Sequence, residues 1–467
     1  TAVGHNALRN NTASEITAVG YRALIANTTG LYNTAVGTIA LEANSTSNNN
    51  TAVGYKALYA NTTGSQNTAV GSFAGDAITT GYANTVMGQG SLTVATTGSN
   101  NTAFGAAALH LQTTANDNTA VGSAALYQNT TGNQNVGIGN SALKSNTTAD
   151  YNTAIGYNAL LSNTTGAQNT ALGRTALYSN TTADDNTALG YNAMYSNTTG
   201  NSNTAVGKDS LDANTTGSRN TAVGYLSLSA NTTQSSNTAV GYRALRDVTT
   251  GYSNTAMGDD AGVNITTGYQ NACFGIDAGE SISTGENNTC IGRTAGQDIT
   301  TGGNNLCLGN HAGKSASPSG SITTGSNSIV LGDNSPTNAY IKVDWTVTSD
   351  RRDKTDITPF NHGLSWINKL NPVTYRWDNR SFYEDGKPDG SKKQLQLNVG
   401  LIAQDEIEVE KEHGFGDTSE NMIVSHITED GNYGMQYSKL VPILINAVKE
   451  LSAENDALKA RLDAAGL

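Results

Sequence analysis

The chain has 467 residues, with 51 Gly, 6 Pro and 3 Cys, 14% charged and 6% aromatic residues, and a formal net charge of -12. An acidic chain without clustered Lys or Arg argues against a nucleic-acid partner. No run approaches the roughly 20 apolar residues that span a bilayer, and three cysteines make no disulfide framework.

Self-similarity dominates residues 1–332. The glycine of a Thr-Ala-Val-Gly motif recurs every 17 residues from Gly20 to Gly309; the first step, from Gly4, is 16, and the last, to Gly332, is 23 owing to an insertion around Lys314-Ser315-Ala316-Ser317-Pro318-Ser319-Gly320. Thr1-Ala2-Val3-Gly4 already belongs to the repeat. We therefore expect the natural chain to start earlier and to meet other fibre components through that missing part. No apolar spacing of 3.6 runs long enough for a helix. Two short apolar pieces per repeat, such as Ala35-Val36 and Ala40-Leu41, separated by Gly and Asn-Thr-Thr-Gly turn chemistry, predict two short strands per coil of a β-solenoid. Val36 and Leu41 are expected inside, with Ala35 suited to close contact with another wall or chain. One such coil cannot bury its apolar side alone, so coils must stack. About twenty coils at about 4.8 Å give a rod on the order of 95 Å. A core this thin predicts several chains side by side.

From Gly258 onward Ala-Gly replaces Ala-Leu, as in Ala261-Gly262 and Ala278-Gly279, with an early instance at Ala74-Gly75. Ile265 and Ile299 then replace the turn Asn, which moves the apolar contribution from the Leu position to this Ile. Cys273, Cys290 and Cys307 are also 17 apart. They read as buried small thiols, against a metal or disulfide ladder that would need further ligands in phase. Sequons such as Asn27-Thr28-Thr29 read as turns, because they keep phase with the repeat; the other reading is glycosylation. Repeats of the form Asn-Thr-Ala-Val-Gly resemble the head repeats of trimeric autotransporter adhesins, which fold as β-rolls in a threefold bundle, and also repeats in phage tail-fibre shafts. The 17-residue period departs from the adhesin-head coil.

Residues 333–348 form the expected connector, with one exposed strand over 339–348. The third segment, 349–467, holds most of the charge contrast. A short amphipathic helix is expected over 361–370, a strand over 372–377, a charged loop over 382–395, a buried strand turning into a helix over 399–406, and further strands over 423–427 and 433–437. From Ser438 the chain is helical to 465. Val441, Val448, Asn455 and Leu462 form one heptad line and Leu444, Leu451, Leu458 and Ala465 the other, the pattern of a coiled coil with Asn at one a position. The fold class is therefore mainly β: a trimeric β-solenoid rod followed by a small α+β domain ending in a coiled-coil helix.

Ser349-Asp350-Arg351-Arg352-Asp353-Lys354-Thr355-Asp356-Ile357, Pro372-Val373-Thr374-Tyr375-Arg376-Trp377, Val399-Gly400-Leu401-Ile402-Ala403-Gln404 and Tyr437-Ser438-Lys439-Leu440-Val441-Pro442 follow in order. This segment resembles the endosialidase-type self-cleaving intramolecular chaperone domain of phage tailspikes and tail fibres. The resemblance implies trimerisation, assembly of a β-rich fibre, and cleavage before the serine, at the Thr348–Ser349 bond. The residues allow that chemistry. A serine hydroxyl needs a base, and Lys354, five residues on, serves if burial in an assembled trimer keeps it neutral; the bland alternative is a capping serine beside a solvated lysine.

The reading is a homotrimeric phage tail fibre, made in the host cytoplasm and carried on the virion tail. It would attach to a surface glycan or protein receptor, with no cofactor, no metal site, and at most single-turnover Ser349/Lys354 autoproteolysis. The alternatives are a bacterial trimeric surface adhesin and a glycan-depolymerising tailspike. The latter lacks the phased carboxylate pairs such a site requires.

Overall fold

The computed structural model describes residues 1–315, 317–336, 342, 347–383, 386–428 and 431–466. Two compact units divide the chain, one of residues 1–294 with 300–304 and the other of residues 295–299 with 305–467.

The first unit is a parallel β-solenoid of eighteen short strands, β1 (Ala2–Val3) to β18 (Thr289–Ile291), one per repeat. Successive strands pair in register, Thr17 to Thr34, Ala18 to Ala35 and Val19 to Val36, one period apart. The second expected strand is absent. Ala40-Leu41 lies in a run of turns, with Leu41 at φ 50° and Ile39 at φ 53°. The left-handed region costs an ordinary residue about 1–2 kcal/mol. It is held here because each such amide bonds the neighbouring coil: Ile39 N–H donates to Tyr21 O at 2.8 Å and Leu41 N–H to Ala57 O at 3.0 Å.

The inside of the coil also differs from expectation. Ala35 is fully buried and Val36 is 36% exposed. Three-residue strands alternate faces, so placing alanine inside sends threonine and valine outward. A 17-residue coil is too narrow for two large side chains facing each other, and Leu41, fully buried, takes the room. Much of the rest of the interior is asparagine. Asn50 N–H donates to Asn33 Oδ1 at 2.9 Å and Asn67 N–H to Asn50 Oδ1 at 2.9 Å, a ladder that runs on to Asn288. A second ladder passes side chain to side chain, from Asn163 Nδ2 to Asn146 Oδ1 and from Asn180 Nδ2 to Asn163 Oδ1, each at 2.9 Å. These asparagines have no exposed surface. The sequon asparagine Asn27 belongs to this second ladder, accepting from Asn44 Nδ2 at 2.7 Å, so it is satisfied in the interior and closed to glycosylation.

Where the second ladder stops, Ile78, Ile265 and Ile282 stand in the asparagine position, fully buried. The Leu position of the same coil is then Gly75, Gly262 or Gly279. A Cβ added at Gly262 would lie 3.0 Å from Ile265 Cδ1, and one at Gly279 would lie 2.8 Å from Ile282 Cδ1. The apolar contribution has thus moved as expected, and leucine and isoleucine exclude each other within a coil. Cys273, Cys290 and Cys307 occupy the buried Ala position, with Cys273 in register with Cys290.

In the second unit, β19 (Leu306–Leu308) and β20 (Ile329–Leu331) pair in parallel, and the insertion lies between them. Of the expected connector strand, 339–341 and 343–346 lie outside the described residues; Val347 and Thr348 are exposed. Helix α1 (Leu364–Ile367) is shorter than the predicted 361–370. Strands β21 (Val373–Tyr375) and β22 (Asn398–Gly400) form one antiparallel pair, and β23 (Ser425–Ile427) and β24 (Tyr433–Met435) another. Val399 is exposed, against the expected buried strand, because a two-stranded ribbon covers one face only. Helix α2 (Ala403–Glu412) follows β22, and helix α3 (Leu440–Ala464) closes the unit. Trp366, Val409, Val424, Leu440 and Ile443 form its core. Among the described residues no helix is long and apolar enough to cross a membrane.

The exclusion between leucine and isoleucine gives a test. Asn163→Ile alone overpacks the coil against Leu160 and breaks the asparagine ladder, so it should cost several kcal/mol, about 1–3 from overpacking and about 1–3 for each orphaned polar group. Adding Leu160→Gly should restore about 1–3 kcal/mol of this through coupling of neighbours. Hydrogen-exchange protection of the flanking coils reads the difference; additive losses would refute the steric account.

Candidate functional site

Asp350, Arg351 and Arg352 shape the start of the third segment. The Asp350 carboxylate accepts from Arg352 N–H at 2.9 Å and caps a single 3-10 turn, Arg351–Asp353. The same carboxylate holds the Arg352 guanidinium at 2.6 Å, and this bond keeps the Asp350 carboxyl below its usual range. The turn reverses the chain, so Lys354 N–H donates to Arg351 O at 3.3 Å. Lys354 Nζ thereby reaches Ser349 Oγ at 2.6 Å. The two residues singled out from the sequence are thus brought together, at the surface, with Thr348 exposed beside them.

Further along the domain, the other motif blocks meet one another. Leu401 N–H donates to the Tyr437 hydroxyl at 2.8 Å, joining the Val399–Gln404 block to the start of α3. A Cβ on Gly400 would come within 2.7 Å of that hydroxyl, so the glycine is needed for the approach. Gly363 does the same for α1, since its Cβ would stand 2.6 Å from Ala447 N. Leu364 N–H then reaches Glu450 Oε2 at 2.6 Å, and Asn446 Nδ2 the Phe360 carbonyl at 2.6 Å.

Two buried carboxyls on α2 escaped the sequence reading. Glu410 accepts from the N–H groups of Ile423, Val424 and Ser425 and from Ser425 Oγ, at 2.7–2.9 Å. It thus fixes the segment entering β23. Glu406 accepts from Trp366 Nε1 at 2.8 Å, while its Oε2 has no hydrogen-bond partner among the described residues. Burial raises its carboxyl from 4.5 to about 7. Acids at i and i+4 look like a solvated helix face, and only the missing basic partner at that spacing hinted otherwise.

Helix α3 carries two faces. Leu440, Ile443 and Ala447 are buried against the core. Val441, Leu444, Val448, Leu451, Asn455, Leu458 and Leu462, the heptad positions, are all exposed, Val448 by 66%. An apolar line of this length is unusual on a free surface. Among the described residues there is no group of three or more His, Cys, Asp or Glu placed to hold a metal.

The Glu406 environment predicts a pH dependence. A carboxyl whose folded value exceeds its unfolded one favours the fold most below about 4.5, and that contribution is lost as pH rises through about 7. The loss is about 3 kcal/mol. Urea unfolding of the C-terminal segment, followed by tryptophan fluorescence between about pH 4.5 and 8, should show this slope. Glu406→Gln, which keeps the acceptor for Trp366, should flatten it; an unchanged slope would assign the effect elsewhere.

No curated protein matches the chain. Residues 349–415 match the family described as chaperone of endosialidase, a span that opens at Ser349 and closes just past α2. With the Ser349 turn, the β21–β22 ribbon and α2 all inside it, this stretch of the chain is a chaperone-of-endosialidase domain, and it follows a parallel β-solenoid of 17-residue repeats.

Proposed function

We propose that the chain is a homotrimeric fibre protein of the phage-tail kind, a host-attachment shaft whose C-terminal domain aligns three chains and then cuts itself off before Ser349. The observation that carries this reading is the 2.6 Å contact between Lys354 Nζ and Ser349 Oγ, at the first residue of the matched family span. In the single chain both groups face water, and the amine donates to the hydroxyl. Catalysis needs the reverse, a neutral amine accepting the serine proton. Desolvation disfavours the ammonium, so packing of further chains over this turn is the step that arms the serine, and cleavage follows assembly.

The chemistry is an acyl shift. Ser349 Oγ attacks the Thr348 carbonyl carbon through a five-membered ring, forming an ester as the Thr348–Ser349 C–N bond breaks. The proton taken by Lys354 passes to the departing Ser349 amine. Water then hydrolyses the ester, leaving a Thr348 carboxylate and a free Ser349.

Two surfaces support assembly with copies of the same chain. One is the heptad line on α3. The other is the outward strand face of the solenoid, where the last strand position is Val, Met, Phe, Ile or Leu in every coil from β1 to β18, and no strand position carries a charge. Phe104, 49% exposed, and Leu172, 43% exposed, are typical of this ridge. Three such ridges turned inward would supply the core that one coil lacks.

The denatured mass of freshly expressed chain should show a product ending at Thr348 and a released 349–467 fragment. Ser349→Ala and Lys354→Met should each leave the chain whole and still trimeric by light scattering. Intact wild-type chain would remove the cleavage role and leave the domain as a permanent trimeric foot. Leu451→Asp with Leu458→Asp should abolish trimers and slow cleavage by at least about a hundredfold, because the amine then stays hydrated and charged. Full cleavage in a monomeric variant would break the link between assembly and catalysis.

A further inference from the structure

The residue after the repeat glycine carries a second surface pattern. Over six consecutive coils it reads Tyr157, Arg174, Tyr191, Lys208, Tyr225 and Tyr242. The Arg174 guanidinium lies 5.9 Å from the Tyr157 ring centre and 5.6 Å from that of Tyr191. Lys208 Nζ lies 5.8 Å from Tyr191 and 4.9 Å from Tyr225, and Tyr225 stacks on Tyr242 at 5.7 Å. The result is an unbroken ribbon of rings and cations. Its four tyrosines are 38–51% exposed.

Beside the ribbon runs a chain of hydrogen-bonding groups. Thr175 Oγ1 donates to Asn192 Oδ1 at 2.6 Å, and Asn192 Nδ2 donates to Asp209 Oδ1 at 3.1 Å. On the other side the glycine column, Gly156 to Gly224, has no side chains. Lys208 is partly committed, to Asp209 at 2.5 Å. Arg174 makes no ion pair among the described residues.

We propose that this ribbon binds a linear acidic polysaccharide. The apolar C–H face of a pyranose ring suits the negative face of a tyrosine ring, and hydroxyls pair with the Thr175, Asn192 and Asp209 groups. Arg174 presents a planar fork that matches a carboxylate bidentately. The repeat distance fits as well. Tyr157 and Tyr191 are two coils apart, about 9.6 Å, close to the length of a disaccharide, with the cation between them. Nucleic acid fits less well, although bases also stack on tyrosine. Phosphate backbones need a dense basic groove, and here Lys208 is paired with Asp209 and lies near Asp212, in a chain of net charge -12.

The inference rests on the fibre reading for its setting as an attachment surface, but not on self-cleavage. The test therefore uses the full chain carrying Ser349→Ala, so that the two fail separately. Hyaluronan, polygalacturonate and polysialate are immobilised as probes, with dextran as neutral polymer and oligo(dT) as nucleic acid. At least one acidic polysaccharide should retain the chain, with affinity falling as salt rises. Arg174→Ala with Tyr191→Ala and Tyr225→Ala should lose at least about tenfold. These side chains lie on the surface, and unchanged circular dichroism would verify the coil stack. Tyr151→Ala, an exposed tyrosine on another column, should bind like its parent. No retention on any acidic polymer, or retention indifferent to the triple substitution, overturns the proposal. Equal binding to dextran overturns its acidic part, and tighter binding to oligo(dT) replaces the ligand with nucleic acid.

Discussion

Everything in the repeat region depends on how closely one coil approaches the next at the glycine column. Gly156 sits at φ 139°, and a Cβ there would fall 2.4 Å from the Gly173 carbonyl oxygen. The same clash recurs from coil to coil, at 2.4 Å for Gly37 against Gly54 and 2.3 Å for Gly173 against Gly190. No other residue type tolerates both the dihedral and the distance. The column therefore fixes how close the coils lie, and the 17-residue period brings like residues over like. Once that is imposed, an asparagine inside one coil finds an asparagine inside the next, and a buried amide that would otherwise be costly is satisfied on both sides.

The same device creates a difficulty for the proposed assembly of several chains. Within one chain each coil touches only its neighbours one period away, so stacking can spread from any nucleus. Between chains nothing comparable fixes the alignment. The outward ridge offers Val or a near equivalent at every step, and three ridges displaced by one coil would lose only one contact layer out of the whole stack. A register error is therefore cheap in energy, though it leaves the ends unmatched. In the proposed trimer, the C-terminal domain, with its unique fold and exposed heptad line, would supply the reference point that the repeat cannot carry.

Some of this was legible in the sequence and some was not, for physical reasons. The period, the glycine column and the exchange of Leu245 in one coil for Gly262 with Ile265 in the next could be read directly, because steric demands repeat in phase. The sidedness of Thr34-Ala35-Val36 could not. Hydrophobicity ranks valine above alanine as a core residue, and three residues are too few for alternation to correct that. Leu41 reads as a strand residue because a leucine at φ 50° is rare, and nothing in its identity announces the turn. The asparagine ladders were hidden by the default reading of Asn as a turn residue, although an amide held in one phase from Asn33 to Asn288 is itself the mark of a stacked ladder. At the junction, the pairing of Ser349 with Lys354 came from resemblance. The turn that accomplishes it depends on Asp350 and Arg352, whose charges in sequence look like those of any solvated loop.

The proposed division of labour between the two parts would explain why an assembly domain is discarded. A coil stack held by buried amides and backbone bonds gains little from any single coil, and its persistence depends on the barrier to opening many coils together. Alignment is needed only while chains are finding one another. Removing the aligning domain leaves the relative energies of neighbouring coils unchanged, since those contacts lie within one repeat period. What would change is the route: a separated chain without its reference point would re-enter register slowly or wrongly, and the proposed assembly would be maintained by kinetics. In the proposed mechanism, coupling the cut to burial of the lysine beside Ser349 would give the order of events that this requires, because the reference would be lost only after it had been used.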